Sequence, residues 1–405
     1  MLRLQGTLPF VRQEWRFLLF GLLLAFWSGP GQTYVISVIG GELRSEFDLT
    51  NGEFGTIYTF ATLVCAAILW KAGPLVDRLP LKNFVFKVSL LMIAAMVAFG
   101  FVRGPVSLFF GIIAVRFLGQ GMMTHIALTS MARRYEAERG RAVAIAALGF
   151  PLGEALFPPL IVLALGIVDW RLIWPAMAVL AAVTLLPATP FLIRHTTRQD
   201  GAGAAELRAA DEDARQWTRS EMLRDGKFYL LAPTAMVPAA VITGLFIHQV
   251  YFIETKGWNF ELWSLYFSVF AIAALIGGVI SGFLVDIFRA RRLLPFVLLP
   301  MSLGVLVFAY ATNEALAALV MFFLGFGAGA TNPVLSSLWP EIYGTRHLGA
   351  IRAVATVVMV FGSALGPVFM GLALDSGISL GSIAIASVGL AIAAAIAAKI
   401  ALVSR

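Results

Sequence analysis

The sequence predicts an all-α membrane protein of about twelve transmembrane helices, arranged as two pseudo-symmetric six-helix bundles. Three observations carry that expectation. Hydrophobic residues make up 60% of the 405 and charged residues 13%, with a mean hydropathy of +0.87. That leaves too little charge to cover a soluble chain of this length. The charges are also unevenly spread, because stretches such as 16–40 and 377–398 carry almost none. At about 1.5 Å per residue these stretches match the roughly 30 Å of bilayer hydrocarbon. Finally, segments of the first half recur in the second at a nearly constant offset.

Hydropathy places the spans at 17–39, 53–71, 84–102, 106–131, 142–165, 171–193, 229–253, 261–284, 293–311, 315–339, 349–373 and 378–401. Residues 1–16 carry Arg3, Arg12 and Glu14 before a long apolar run and show no small-residue cleavage pattern, which reads as an uncleaved first span. The expected domains are 1–193, a charged linker over 194–228, and 229–405. The linker is too polar to insert, and its second half can form an amphipathic surface helix. Basic residues set the orientation, since Lys and Arg flanking a span resist translocation. With the N-terminus inside, 25 of the 30 basic residues fall on the cytoplasmic side, and only Arg44, Arg103, Arg171 and Lys256 fall outside. An even span number returns the C-terminus to the cytoplasm. The net charge of +7 therefore reports topology and calls for no nucleic-acid partner. Cys65 is the single cysteine and lies in an apolar run, so no internal disulfide can form; four histidines without HExxH spacing give no metal site.

The internal repeat is legible in three places. Gly73 to Asp77 recurs as Gly282 to Asp286, Phe117 to Gly121 as Phe323 to Gly327, and Arg141 to Ala144 as Arg352 to Ala355, at offsets of 209, 206 and 211 residues. Two halves of the same sense imply a parallel-repeat transporter with its site between them near the bilayer midplane.

The loop GPLVDRLPLK, Gly73 to Lys82, resembles the GxLxDRxGRK signature of the major facilitator superfamily, and RFLGQG, Arg116 to Gly121, resembles its fourth-helix RxxxGxG signature. The segments GPGQTYVISVIG, GQGMMTHIALTSMARR and WPEIYGTRHLGAIR are similar to bacterial members near the monocarboxylate and oxalate/formate branch. The resemblance implies the major facilitator fold and a gating role for Asp77 and Arg78. Pro80 and Leu81 depart from the pattern, which removes one basic contact of that gate.

Arg116 lies about 15 Å from the outer end of its span. An arginine at that depth costs about 2.5 to 3.5 kcal/mol and must face a partner or a watered cavity. Phe322 stands at the repeat-related position, so the charge is not part of the duplicated scaffold. Its planar fork suits an anionic substrate group, and a helix-locking ion pair is the other role open to it. Glu154, at similar depth, is the natural partner and a candidate proton-coupling group. Gln120 lies one turn beyond Arg116, and Gln32 and Tyr34 follow the Gly29, Pro30, Gly31 break in the first span. His248, Gln249 and Asn332 complete the substrate-binding candidates; a polar packing cluster is the alternative for the first two. His125 lies on the opposite face of its helix from Arg116. Asp77 with Arg78, and Asp286 with Arg289, are the gating candidates. No Walker sequence, nucleophile or metal set is present, so neither ATP-driven transport nor catalysis is expected.

The expected function is secondary active transport of a small organic anion, a monocarboxylate among them, by proton symport across a bacterial inner membrane. The protein is expected as a monomer in the lipid bilayer without cofactor. A proton antiporter exporting drug-like compounds and a transport-inactive sensor are the alternatives.

Overall fold

The computed structural model describes residues 7–135, 138–193 and 216–403, with the side chains of residues 7, 8 and 77 excepted. Among the described residues eleven helices are long and apolar enough to cross a membrane, or twelve when a bent pair counts as one span. In chain order they are α1 (Pro9–Val38, bent by 63° from Gly40–Glu46), α2 (Asn51–Ala72), α3 (Leu81–Phe99), α4 (Pro105–Arg134), α5 (Arg139–Leu165) and α6 (Trp170–Ile193). The second set is α7 (Gly226–Ile247), α8 (Phe260–Phe288), α9 (Ala290–Tyr310), α10 (Glu314–Tyr343), α11 (Leu348–Asp375) and α12 (Leu380–Val403). No strand occurs among the described residues. Large apolar side chains such as Trp70, Phe101, Phe110, Ile167, Phe283 and Val403 stand on the outside. A water-facing protein would not carry so much contiguous apolar surface, whereas hydrocarbon accepts it.

The chain forms two compact units, Met1–Glu42 with Ala61–Ala205 and Leu43–Phe60 with Glu206–Arg405. Helix α2 thus contributes its first ten residues to the second unit and the rest to the first. In the first unit α1 packs on α5 so closely that a Cβ on Gly149 would collide with the Leu22 carbonyl. Helices α3 and α6 meet through Phe99 and Trp174, with ring centroids 4.0 Å apart. The N-terminal end of α1 is tied by Glu14, which pairs with Arg134 at 3.1 Å and accepts the Tyr135 hydroxyl at 2.8 Å. Burial, reinforced by that carboxylate, pushes the Tyr135 hydroxyl well above the usual phenol range. The Arg134 guanidinium also lies 4.6 Å over the Phe17 ring.

In the second unit the helices interlock through small residues, as membrane helices must where no hydrophobic effect drives them together. Gly325 and Gly329 of α10 sit against the Phe270 and Ala274 carbonyls of α8, and Gly362 and Gly366 of α11 against the Met236 and Ala240 carbonyls of α7. Each pair is spaced by four residues, one helical turn, so one face of each helix meets backbone. Most of the linker expectation, 194–215, lies outside the described residues. Its end forms the short helix Arg219–Arg224, capped by Thr218 with Glu221 in a reciprocal box. Gln216 accepts the Thr345 and Arg346 amides at 2.9 and 3.0 Å, fixing this segment to the turn that follows α10.

Candidate functional site

The site in the first unit grows from two irregularities that face each other. In α1 the sequence Ser28 to Gln32 cannot hold an α-helix, because Pro30 lacks an amide hydrogen and its glycine neighbours add no stiffness. The chain tightens into a 3-10 turn over Gly29–Gly31, closed by Gly31 N to Ser28 O at 3.1 Å and Gln32 N to Gly29 O at 2.8 Å. In α4 the helix widens instead, into a π-helical stretch over Phe117–Met123. Such bulges are uncommon and recur at functional positions. The two meet in direct backbone contact: a Cβ on Gly31 would collide with the Val115 carbonyl and stand 2.9 Å from the Gln120 amide nitrogen. A Cβ on Gly119 would stand 2.8 Å from the Ser28 carbonyl. Only glycine fits at 31 and 119 without parting α1 from α4.

Arg116 is the last α-helical residue before the bulge and is 2% exposed. The guanidinium acts electrostatically on the Cys65 thiol of α2, which itself donates to the Ile113 carbonyl at 3.3 Å. Gln120, half-buried, follows within the bulge. Gln32, also half-buried, donates to the Ser28 hydroxyl at 3.3 Å.

On the other flank of the break, Tyr34 is buried and its hydroxyl has no hydrogen-bond partner among the described residues. The hydroxyl lies where Gly29 and Gly153 leave room: a Cβ would stand 3.0 Å from it on the first and 2.9 Å on the second. Glu154, the next residue of α5, is the acidic group acting on it. Among the described residues Glu154 forms no ion pair with Arg116. Glu154 thus acts electrostatically on Tyr34 and Arg116 on Cys65, and the Arg116–Glu154 ion pair that the sequence leaves open is not formed among the described residues. His125 turns to the loop after α2, its Nε2 3.2 Å from the Gly73 carbonyl, away from Arg116 as its helical angle requires.

The second unit treats its candidates differently. His248 is 1% exposed and its Nε2 donates to the Pro367 carbonyl at 2.8 Å; Gln249, also buried, accepts the Trp263 indole at 2.6 Å. Those bonds engage both side chains within the fold, which is the packing alternative open to them in the sequence. Asn332 stands exposed in the middle of α10, one residue before Pro333. Of the gating candidates, the Asp77 side chain lies outside the described residues. Arg78, Asp286 and Arg289 are exposed, and among the described residues no side-chain hydrogen bond or ion pair involves them. In the turn after α8, Glu341 of α10 accepts the Ala290 amide at 2.9 Å and pairs with Arg291 at 4.0 Å.

Sequence reasoning misses a clasp at the opposite end of α2. The four opening amides of this helix all find partners: Thr50 and Glu53 form a reciprocal box at 2.9 and 3.1 Å, and Asp375 of α11 accepts Asn51 N at 3.0 Å and Gly52 N at 2.7 Å. A carboxylate at a helix N-terminus is favoured by both the free amides and the dipole. The contact continues along the helices, with Thr59 Oγ1 donating to the Ala364 carbonyl. Nothing local marks Asp375, because its partners lie more than 320 residues away. Asp375→Ala is expected to weaken the clasp by about 1 kcal/mol, the usual cost of losing a helix cap. A cysteine placed at Asn51 should then react with a membrane-impermeant maleimide roughly fivefold faster than in the parent; unchanged labelling would remove the clasp's role.

A family model described as Major Facilitator Superfamily matches residues 18–367 and again 250–404. Monocarboxylate transporter 13 of Bos taurus is 29% identical over 257 residues, 60% of this chain and 55% of that protein. The alignment thus spans little more than half of that relative's length. The probable sulfoacetate transporter SauU of Cupriavidus necator is 26% identical over 366 residues, 83% of this chain and 82% of that protein. A multidrug resistance protein B homolog of Mycobacterium tuberculosis is 31% identical over 109 residues, 27% of this chain and 20% of that protein. Among solved structures, the nucleoside transporter NupG superposes with a TM-score of 0.72 at 14% identity, covering 96% of this chain and all of that one. A bacterial homologue of the human lysosomal transporter Spinster gives 0.70 at 16% identity, covering 96% and 93%. At these identities the superpositions speak for the fold, and the family match, over most of the chain, decides the membership: the chain belongs to the Major Facilitator Superfamily.

Proposed function

We propose that the chain is a secondary active transporter that moves a small organic anion of the carboxylate class by alternating access, coupled to proton symport. The observation that carries this reading is Arg116, a guanidinium 2% exposed in mid-span where α4 widens beside the α1 break. A cation held at that depth is costly, and its fork geometry suits a carboxylate or sulfonate. The relatives named for monocarboxylate and sulfoacetate transport support an anionic substrate. Gln120, Gln32 and the unpartnered Tyr34 hydroxyl supply hydrogen-bonding groups around the same break. Glu154 takes the proton. Intramembrane carboxylates serve as proton relays, and this one acts electrostatically on Tyr34 and forms no ion pair among the described residues. The proposed setting is a bacterial inner membrane, with a monomer whose basic loops and both termini face the cytoplasm.

The segment shared with the multidrug resistance relative favours one second reading, export of lipophilic compounds in exchange for protons. A thermal-shift screen of the purified protein against small carboxylates, sulfonates, amines and lipophilic cations separates the two. Stabilisation by carboxylates or sulfonates is expected; stabilisation by cations alone would replace the anion reading with the export one. For a hit reconstituted in proteoliposomes, Glu154→Gln is expected to abolish uptake driven by an inward proton gradient while sparing exchange of labelled for unlabelled substrate. Retention of gradient-driven uptake would remove the coupling role.

A further inference from the structure

On the side of the bundle where α3 begins and α6 ends lies a small recess of about 170 Å³, lined by Lys82, Asn83, Phe86 and Lys87 of α3 and by Thr189 and Pro190 of α6. The recess belongs wholly to the first unit and lies apart from the Arg116 and Glu154 positions. Its charge is of one sign. The first turn of α3 carries no acidic residue and no side-chain cap, and neither does the last turn of α6 contain an acid. Several basic residues elsewhere are spent on the protein, Arg134 on Glu14, Arg291 on Glu341, Arg171 on the Val102 carbonyl and Lys256 on the Ala309 and Ala311 carbonyls, whereas Arg78 and Arg289 are exposed but do not line this recess. Lys82 and Lys87 form no ion pair or side-chain hydrogen bond among the described residues, and both are exposed. The recess can make little polar use of Thr189, whose hydroxyl donates to the Leu185 carbonyl of its own helix at 2.7 Å. Apart from Asn83 the remaining walls, Phe86 and Pro190, are apolar, and both Phe86 and Phe191, the residue after Pro190, are exposed aromatic rings. Arg16 of α1 lies 5.1 Å over the Phe191 ring and adds a third cation at this end.

We propose that this recess is a binding site for an anionic phospholipid, with Lys82 and Lys87 holding the phosphate and Phe86 and Pro190 bordering the start of an acyl chain. Two unspent ammonium groups call for an anion; apolar walls opening onto hydrocarbon call for one that carries a tail. A soluble phosphate satisfies the first requirement and a zwitterionic lipid the second, and only an anionic lipid satisfies both. The position fits as well, since basic recesses between transmembrane helices on the cytoplasmic face recur as sites for anionic head groups. Lys82 closes the loop that begins at Gly73, so a lipid held here fastens the start of α3 to the leaflet at the point where that loop ends.

The test uses the full-length protein, purified and stripped of lipid in detergent, then titrated with phosphatidylglycerol, with phosphatidylcholine of the same chains and with glycerol 3-phosphate, and read by native mass spectrometry. The parent is expected to retain phosphatidylglycerol in preference to phosphatidylcholine, with glycerol 3-phosphate failing to displace it. In the K82Q/K87Q variant retention should fall at least about tenfold, while K82R/K87R retains the lipid. The R292Q/R346Q variant, which removes the same charge from the other unit, should behave as the parent. Equal retention in K82Q/K87Q, equal loss in R292Q/R346Q, or retention of phosphatidylcholine at the same level would overturn the site. Displacement by glycerol 3-phosphate would overturn the lipid as its occupant. The thermal transition of each variant shows that loss of lipid is not loss of fold.

Discussion

Arg116→Gln is expected to cut uptake of a small carboxylate into proteoliposomes by at least about tenfold and to abolish the thermal stabilisation that the same carboxylate gives the parent. The magnitude follows from the interaction removed. A hydrogen bond from a charged donor is worth about 1.5–3 kcal/mol, which converts to roughly 10- to 150-fold in affinity. Glutamine keeps a donor and most of the length but carries no charge, so it separates electrostatic capture from packing. Arg116→Lys should fall between, since an ammonium keeps the charge and loses the fork that holds two oxygens at once. Because Arg116 borders the π-helical stretch and is 2% exposed, the variant must first show a cooperative thermal transition of its own. A folded Arg116→Gln protein that transports at the parent rate would leave the guanidinium as a helix-packing group and remove the anion reading's main support.

The spans were legible in the sequence because burial in hydrocarbon is a one-dimensional demand. Each helix satisfies its own backbone, so hydropathy along the chain is enough to find it. The α1 break was legible for a similar local reason, since Gly29, Pro30 and Gly31 cannot continue a helix whatever surrounds them. The α4 bulge was not. Phe117 to Met123 contains two glycines that allow widening, but what occupies the space is the α1 break, a partner more than 80 residues away in sequence. The same limit explains the charges. Depth along a helix placed Arg116 and Glu154 at one level of the bilayer, yet level is not pairing: no ion pair joins them among the described residues, and Glu154 acts electrostatically on Tyr34 instead. At the turn after α8, repeat logic points to Asp286, and nothing in the sequence marks Glu341 of α10, 51 residues on, as the acceptor of the Ala290 amide there.

Gly329→Leu is expected to be the most damaging single change to stability, and the reason lies in what the new side chain would meet. A Cβ on Gly329 would collide with the Ala274 carbonyl oxygen and stand 2.6 Å from its carbon and 2.7 Å from the Ala274 Cα. All three are backbone atoms of α8, so no rotamer change relieves the contact, and the two helices must part along the whole face that Gly325 shares. Overpacking of a fitted core costs about 1–3 kcal/mol even where side chains can yield; here the upper end or more is expected, enough to lose the cooperative transition of a marginally stable protein. Gly366→Leu should act in the same way on α7 and α11, against the Ala240 carbonyl. Gly389→Leu on α12 is the control, because nothing lies within 4 Å of a Cβ there and hydrocarbon accepts the added side chain. Size-exclusion profiles and thermal transitions in detergent would distinguish the three. A Gly329→Leu protein as stable as Gly389→Leu would mean that α8 and α10 do not approach through this glycine.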